Sequence, residues 1–137
     1  MVNWSDRVGQ IVPSLAELQA LPVGTLGHTF ALFVRSHNLK PIAYGPRRAQ
    51  IHDVLQALLG YDIDIVGEQQ VQWFILGTQA TWFNLLAGSH FLLRSRQWRP
   101  GWEAFQRGRR ASLNPDTFPV EHLWQTQVDK IYQKYRL

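Results

Sequence analysis

The chain contains no cysteine. A disulfide framework and a thiolate metal site are therefore excluded, and any metal ion must be held by oxygen and imidazole ligands. Charged residues are also sparse, at 18% of 137 residues, whereas 45% are hydrophobic and six are tryptophan. This length and apolar content suit a sizeable core, so we predict a single domain over residues 1–137.

Recognisable targeting signals are missing from the first twelve residues, MVNWSDRVGQIV. They have neither the cationic and apolar segments of a secretory signal nor the Arg-rich, acid-free pattern of a transit sequence. We therefore expect the chain to stay in the cytoplasm, where it is made.

The familiar sequence motifs of nucleotide and acyl-transfer enzymes are absent. The chain has no GxGxxG after a strand, no Walker GxxxxGK and no GxSxG, and alternation of period two is scarce. Helical spacing of apolar residues is common instead, which predicts an all-α helical bundle. The expected helices run from about Ser14 to Leu21, from a Thr25 cap, from Arg47–Gln50 to Leu59, from an Asp64 cap, from Gly101 to Ala111 and from Val120 to Tyr135, with a loop at Lys40 to Arg48.

The stretch from Gln69 to Leu93 has no charged residue in twenty-five positions. That length could span a bilayer, but its polar residues argue for the central helix of a bundle that lines an apolar pocket. These polar residues are Gln69, Gln70, Gln72, Gln79, Asn84 and His90. Gly77 and Gly88 would let another helix or a ligand pack closely against this segment.

Positive charge is concentrated in the next segment. Six arginines lie between Arg94 and Arg110, opposed only by Glu103, and tryptophans alternate with them. Such a pattern is typical of a membrane interface, where indoles lie at the headgroups and guanidinium groups meet phosphates. We predict membrane or anion binding by Arg94, Arg96, Trp98, Arg99, Trp102, Arg109 and Arg110, and no nucleic-acid binding because no recognition motif is present.

The residues best arranged for chemistry lie around the turn between the third and fourth helices. His52, Asp53 and Gln56 share a sector of roughly 100° on one helix. Gly60 is a natural helix stop, and Asp64 can cap a second helix whose first turn carries Glu68. A central antiparallel pair of helices joined by so short a turn would bring all four side chains together.

Several sequence blocks, in this order and spacing, resemble the coenzyme Q (ubiquinone) biosynthesis family of the Coq-four type. They are Leu21-Pro22-x-Gly24-Thr25-Leu26-Gly27, His52-Asp53-x-Leu55-x-x-Leu58-Leu59-Gly60, Val66-Gly67-Glu68, Trp73-Phe74, Gly108-Arg109-Arg110-Ala111 and Trp124. The resemblance covers about residues 21–136. The family pattern is His-Asp-x-x-His, eleven residues, then Glu, and this chain keeps the spacing but has Gln56 in place of the second histidine.

The resemblance implies an all-helical protein that binds a long isoprenoid or quinone-like lipid at a membrane surface and organises quinone-biosynthesis enzymes. It also implies a divalent metal held by His52, Asp53, Gln56 and Glu68. An amide oxygen is a weak neutral ligand, so we expect Mg²⁺ rather than Zn²⁺ if a metal binds, and the departure at Gln56 argues against redox chemistry.

The sequence therefore favours a lipid-presenting protein, peripheral to a membrane, over two alternatives. One is a metal-dependent enzyme of quinone head-group modification, such as an oxidative decarboxylation, with Asp53 or Glu68 as general base. The other is a lipid-free scaffold that uses apolar helix surfaces; we also expect a homo-oligomer. The predicted lipid-binding residues are Leu55, Leu59, Val71, Ile75, Leu76, Gln79, Phe83 and Leu86.

Overall fold

The computed structural model describes residues 10–42 and 45–137. Residues 1–9, which hold most of the segment searched for targeting signals, and residues 43–44 of the predicted Lys40 to Arg48 loop lie outside the described residues. The helices are α1 (Leu15–Gln19), α2 (Leu26–Ser36), α3 (Arg47–Leu59), α4 (Ile65–Thr78), α5 (Trp82–Ser95), α6 (Trp98–Arg110) and α7 (Val128–Tyr135). The predicted all-α bundle is confirmed.

Four of the predicted helix ends in the first half of the chain are formed by the residues that the sequence singled out. Ser14 and Glu17 form the reciprocal capping box of α1, and Thr25 accepts the His28 N–H at the start of α2. Gly60 ends α3 with φ 77°, a left-handed conformation that favours glycine, and Asp64 caps α4 through the Gly67 N–H.

The charge-free stretch from Gln69 to Leu93 is not one helix, so that expectation is wrong. The backbone becomes extended at Gln79, and Thr81 caps a new helix by accepting the Asn84 N–H. The Thr81 hydroxyl accepts a backbone N–H of the first turn and so allows α5 to begin there. The apolar composition of the stretch alone predicts one continuous helix. None of the helices in the described ranges reaches the length and apolarity that a bilayer crossing requires.

The predicted helix from Val120 to Tyr135 is also interrupted. A short 3₁₀ turn at Val120–His122 is followed by an irregular segment, and α7 begins only at Val128. Carbonyls of that segment accept the first free N–H groups of α2, Leu26 N to Thr126 O and Gly27 N to Trp124 O, both 2.9 Å. The carbonyls of this segment therefore bond the first turn of α2 instead of forming helical hydrogen bonds of their own. Trp124 is fully buried and its ring packs against that of Phe30.

Helix α4 packs most extensively against α6 rather than against α3, so the central pair differs from the predicted one. The two helices approach through glycines: a Cβ on Gly108 would lie 3.2 Å from the Gly77 Cα and well inside van der Waals contact with the Phe74 carbonyl. Gly88 likewise faces the Trp73 ring. The predicted close packing at Gly77 and Gly88 is confirmed, in both cases against another part of the protein.

The C-terminal end of α3 is held from two other helices. Arg107 of α6 donates to the Leu59 carbonyl at 2.9 Å and to the Tyr132 hydroxyl at 3.2 Å. The Tyr132 hydroxyl in turn donates to the Leu58 carbonyl. A cation at these last-turn carbonyls also complements the helix dipole. The turn that carries the predicted site is thereby anchored to α6 and α7.

Candidate functional site

Helices α3 and α4 bring together the four polar residues that the sequence singled out. His52 Nδ1 is 3.2 Å from Asp53 Oδ1, and His52 Nε2 is 3.5 Å from Glu68 Oε2. The Gln56 amide nitrogen donates to Glu68 Oε1 at 3.0 Å. We call His52, Asp53, Gln56 and Glu68 the polar cluster. His52, Asp53 and Glu68 are each about one-quarter exposed, whereas Gln56 is fully buried.

Gln56 is fixed by two acceptors. Its amide nitrogen donates to the Asp62 carbonyl as well as to Glu68, and Gly67 lets the Asp62 backbone lie directly on the first turn of α4. The reverse orientation of the amide would place its oxygen against two other oxygens, so the nitrogen faces Glu68. The Gln56 oxygen is buried without a hydrogen-bond partner among the described residues.

This arrangement does not suit a metal ion shared by the four residues. Gln56 presents hydrogen atoms, not a lone pair, to the Glu68 carboxylate. Across residues 10–42 and 45–137, no group of three or more His, Asp or Glu side chains could hold a metal ion. The assignment of His52, Asp53, Gln56 and Glu68 as metal ligands stays a prediction.

His52 lies between the carboxylates of Asp53 and Glu68, and both act on its pKa. Burial lowers the pKa of His52, but the hydrogen bond with Asp53 and the negative charges of Glu68 and Asp53 together raise it above its ordinary value. The imidazolium ion is stabilised between two carboxylates. A metal ion at His52 would therefore compete with a proton for the imidazole lone pair.

An apolar cavity of about 370 Å³ lies beside the polar cluster, and His52 forms part of its wall. Three of the predicted lipid-binding residues, Leu55, Ile75 and Phe83, also line it. The remaining wall comes from α3, α4, α5 and two loops: Ile42, Pro46, Arg48, Ala49, Ile51, Gln72, Asn84 and Pro115. The predicted polar groups therefore lie next to an apolar cavity.

The other predicted lipid-binding residues lie elsewhere. Leu59 and Val71 are in the hydrophobic core, and Leu76 lines a smaller depression of about 240 Å³. Gln79 is exposed and accepts a hydrogen bond from Arg48 at 3.2 Å. Leu86 is 69% exposed on the outer face of α5.

The predicted membrane residues lie at the exposed end of α5 and along α6. Trp98 and Trp102 are exposed, Arg99 lies over the Trp98 ring, and Trp102 stacks on Phe105. Arg110 lines a second cavity of about 370 Å³ together with Arg107 and Arg136. The sequence prediction did not include Arg107, whose hydrogen bonds give it a structural role at the end of α3.

Three polar residues of the cavity wall are missing from the predicted set: Arg48, Gln72 and Asn84. Gln72 and Asn84 are among the amide residues that argue against a membrane span. Their presence in an otherwise apolar stretch was the sequence signal that could have assigned them to the cavity wall. Arg48 gives no comparable signal, since its hydrogen bond to Asn84 joins residues that are 36 positions apart in the chain.

The order of motifs, the fold and the polar cluster can be compared with known proteins. No family model matches the chain. COQ4 homologues, named mitochondrial ubiquinone biosynthesis proteins, are similar: 29% identity over 82 residues for Rattus norvegicus, 30% over 82 for Homo sapiens and 32% over 74 for Danio rerio. The predicted resemblance is confirmed.

The similarity to COQ4 proteins is partial in length. The stretch matched to the rat and human proteins is 50% of this chain but only 31% of each of those proteins. The stretch matched to the zebrafish protein is 44% of this chain and 27% of that protein. The crystal structure of a proposed ubiquinone biosynthesis protein from Nostoc punctiforme has the same fold, with a TM-score of 0.79 over 96% of this chain and 72% of that one. Its sequence identity is 20%, so this likeness concerns the fold alone.

Proposed function

We propose that the chain takes part in ubiquinone-type quinone biosynthesis by binding an isoprenoid or quinone-like lipid and presenting its head group. Similarity to COQ4 proteins supports the pathway. The observation that carries lipid binding is the position of His52, which belongs to the polar cluster and also to the wall of the apolar cavity. Apolar pockets with a few convergent polar groups are typical ligand sites.

The cavity suits the head and the first part of a prenyl tail. Its volume of about 370 Å³ is near the lower end of ligand pockets, which span roughly 300–1,000 Å³. Phe83 lines the cavity and is nevertheless 72% exposed, so the cavity opens at the first turn of α5. The rest of a long tail would leave there, over the exposed side chains of α5.

Filling the cavity should weaken lipid binding. Ala49 is half-buried in the cavity wall, so an Ala49→Phe ring can occupy the cavity without displacing the core. We expect the Kd for farnesol to rise about 10-fold, because the ring removes apolar contacts with the ligand that stabilise the complex by about 1.4 kcal/mol. Tryptophan fluorescence during titration with farnesol measures the Kd.

Ala16→Phe is the matched control, since Ala16 is exposed on α1 and contributes nothing to the cavity wall. It should bind farnesol like the unchanged protein. Lipid binding in this cavity would be refuted by unchanged protein that shows no saturable farnesol binding, or by a folded Ala49→Phe protein that binds equally well.

We propose that the outer face of α5 meets the membrane. Trp82, Leu86 and Leu93 are 81%, 69% and 78% exposed and fall within a sector of roughly 40° on the helix. Such a row of large apolar side chains is costly to leave in water. The exposed Trp98 and the arginines at the end of α5 continue it, a composition that suits an anionic headgroup layer.

Polar substitution of this face should reduce membrane binding. A Trp82→Ser, Leu86→Ser, Leu93→Ser triple variant is expected to sediment at least about 10-fold less with vesicles of phosphatidylcholine and phosphatidylserine, because about 25 cal/mol per Å² of apolar burial is removed. Arg94→Gln should weaken binding to these anionic vesicles but not to vesicles of phosphatidylcholine alone, because it removes only a positive charge. A triple Ser variant that sediments like the unchanged protein would contradict the proposed face.

A further inference from the structure

The second cavity of about 370 Å³ has a polar wall, built by the α3–α4 turn, α4, α6 and the C-terminal end of α7. The polar side chains of this wall are Tyr61, Gln70, Glu103, Arg107, Arg110 and Arg136. Among the described residues, none lines both this cavity and the apolar one beside the polar cluster. We call it the arginine cavity.

One of its three arginines is held rigidly. The guanidinium carbon of Arg107 lies 5.4 Å from the centre of the Tyr61 ring and 5.6 Å from that of the Tyr132 ring. Its hydrogen bonds to the Leu59 carbonyl and the Tyr132 hydroxyl use only part of the five N–H groups. A ligand in the cavity would therefore meet a donor that is already in position and loses little side-chain freedom on binding.

The other two arginines are not paired with an acid. Arg110 and Arg136 are exposed, and within residues 10–42 and 45–137 neither makes an ion pair or a side-chain hydrogen bond. Glu103, the acidic side chain of the wall, also lacks an ion pair in that part of the chain. Three guanidinium groups and one carboxylate give the side chains of the wall a net charge of +2. Like charges in one wall repel each other, and a bound anion relieves that repulsion.

We propose that the arginine cavity binds a phosphate monoester. This group carries close to two negative charges at pH 7, which matches the charge of the wall. Its oxygens also accept hydrogen bonds from planar guanidinium groups two at a time. A volume of about 370 Å³ leaves room beside the phosphate for the small alcohol that carries it. The site is separate from the apolar cavity and adds a second ligand to the proposed function.

Titration calorimetry with glycerol 3-phosphate tests the site. The unchanged protein should bind this probe with a Kd of about 1 mM or lower, as a few charge-assisted hydrogen bonds imply. An Arg110→Gln, Arg136→Gln variant should bind at least about 10-fold more weakly, because two of the three cations are removed. Arg109→Gln, Lys134→Gln is the matched control: it removes the same charge from exposed positions near the same helix ends but outside the cavity, and should bind normally.

Removing the acidic side chain of the wall should have the opposite effect. Glu103→Gln is expected to lower the Kd for glycerol 3-phosphate about 3-fold, because a carboxylate that repels the phosphate is lost. Asp129→Asn changes the net charge by the same amount at an exposed position of α7 outside the cavity, and should leave the Kd unchanged. Misfolding cannot produce a gain in affinity, so this pair tests the site independently of the arginine variants.

The phosphate could come from a soluble compound or from a lipid head group, and vesicles separate these sources. Saturable binding of glycerol 3-phosphate that only the Arg110→Gln, Arg136→Gln variant loses supports a soluble ligand. Without it, a preference for phosphatidic acid over phosphatidylserine vesicles that the same variant loses supports a lipid phosphate. Absence of both, or equal losses in the two double variants, overturns the inference. Farnesol binding is measured in the apolar cavity, so it stands or fails separately.

Discussion

Gly108→Ala is expected to lower the free energy of unfolding by about 3 kcal/mol or more, a large part of the total of about 5–15 kcal/mol for a small domain. The new methyl group would collide with the Phe74 carbonyl and press on the Gly77 Cα 3.2 Å away. Both neighbours are backbone atoms of α4, so no side-chain rotation relieves the overlap. The gain in helix propensity of roughly 1 kcal/mol from replacing glycine is too small to compensate.

Chemical denaturation followed by circular dichroism measures this effect. Gln106→Ala is the control on the same helix, because Gln106 is exposed and its truncation should change the unfolding free energy by no more than about 0.5 kcal/mol. A Gly108→Ala protein as stable as this control would mean that α4 and α6 do not meet backbone to backbone.

Local sequence signals predicted the helix ends where a cap decides them. The Ser14 and Glu17 capping box, the left-handed Gly60 and the Asp64 cap each need only residues within one turn, and each is present in the structure. The interruption after Leu123 could not be read in this way. It depends on carbonyls that pair with the start of α2, about a hundred residues earlier in the chain.

The site shows the same division between local and distant causes. Helical spacing places His52 and Gln56 on one face, and a short turn returns Glu68 to them, so their proximity was predictable. The cavity wall was predicted for Leu55, Ile75 and Phe83 but not for Arg48 or Asn84. Those two residues meet because α5 is a separate helix, and the uninterrupted helix predicted from composition hides that contact.

Gln56→His should raise the affinity of the protein for Zn²⁺ by at least about 100-fold. Residues that only support a metal ligand already change metal affinity by up to about 100-fold, so a new direct ligand should contribute at least as much. The amide nitrogen now faces Glu68 as a hydrogen-bond donor and cannot coordinate. An imidazole at this buried position supplies a strong nitrogen ligand beside the Glu68 carboxylate and His52. The measurement is competitive titration of Zn²⁺ against a chelating indicator, with metal content of the purified proteins determined in parallel.

Two controls make that gain specific to the polar cluster. Gln69→His introduces the same side chain at another fully buried glutamine, which lies on α4 rather than on α3, and it should gain no Zn²⁺ affinity. The Gln69 amide is hydrogen-bonded to Ser95 and Gln97 and not to a carboxylate. Adding Glu68→Gln to Gln56→His should cancel most of the gain, because the charged oxygen ligand is removed. If unchanged protein already carries about one metal ion per chain and Gln56→His does not alter it, then Gln56 does not disable the site.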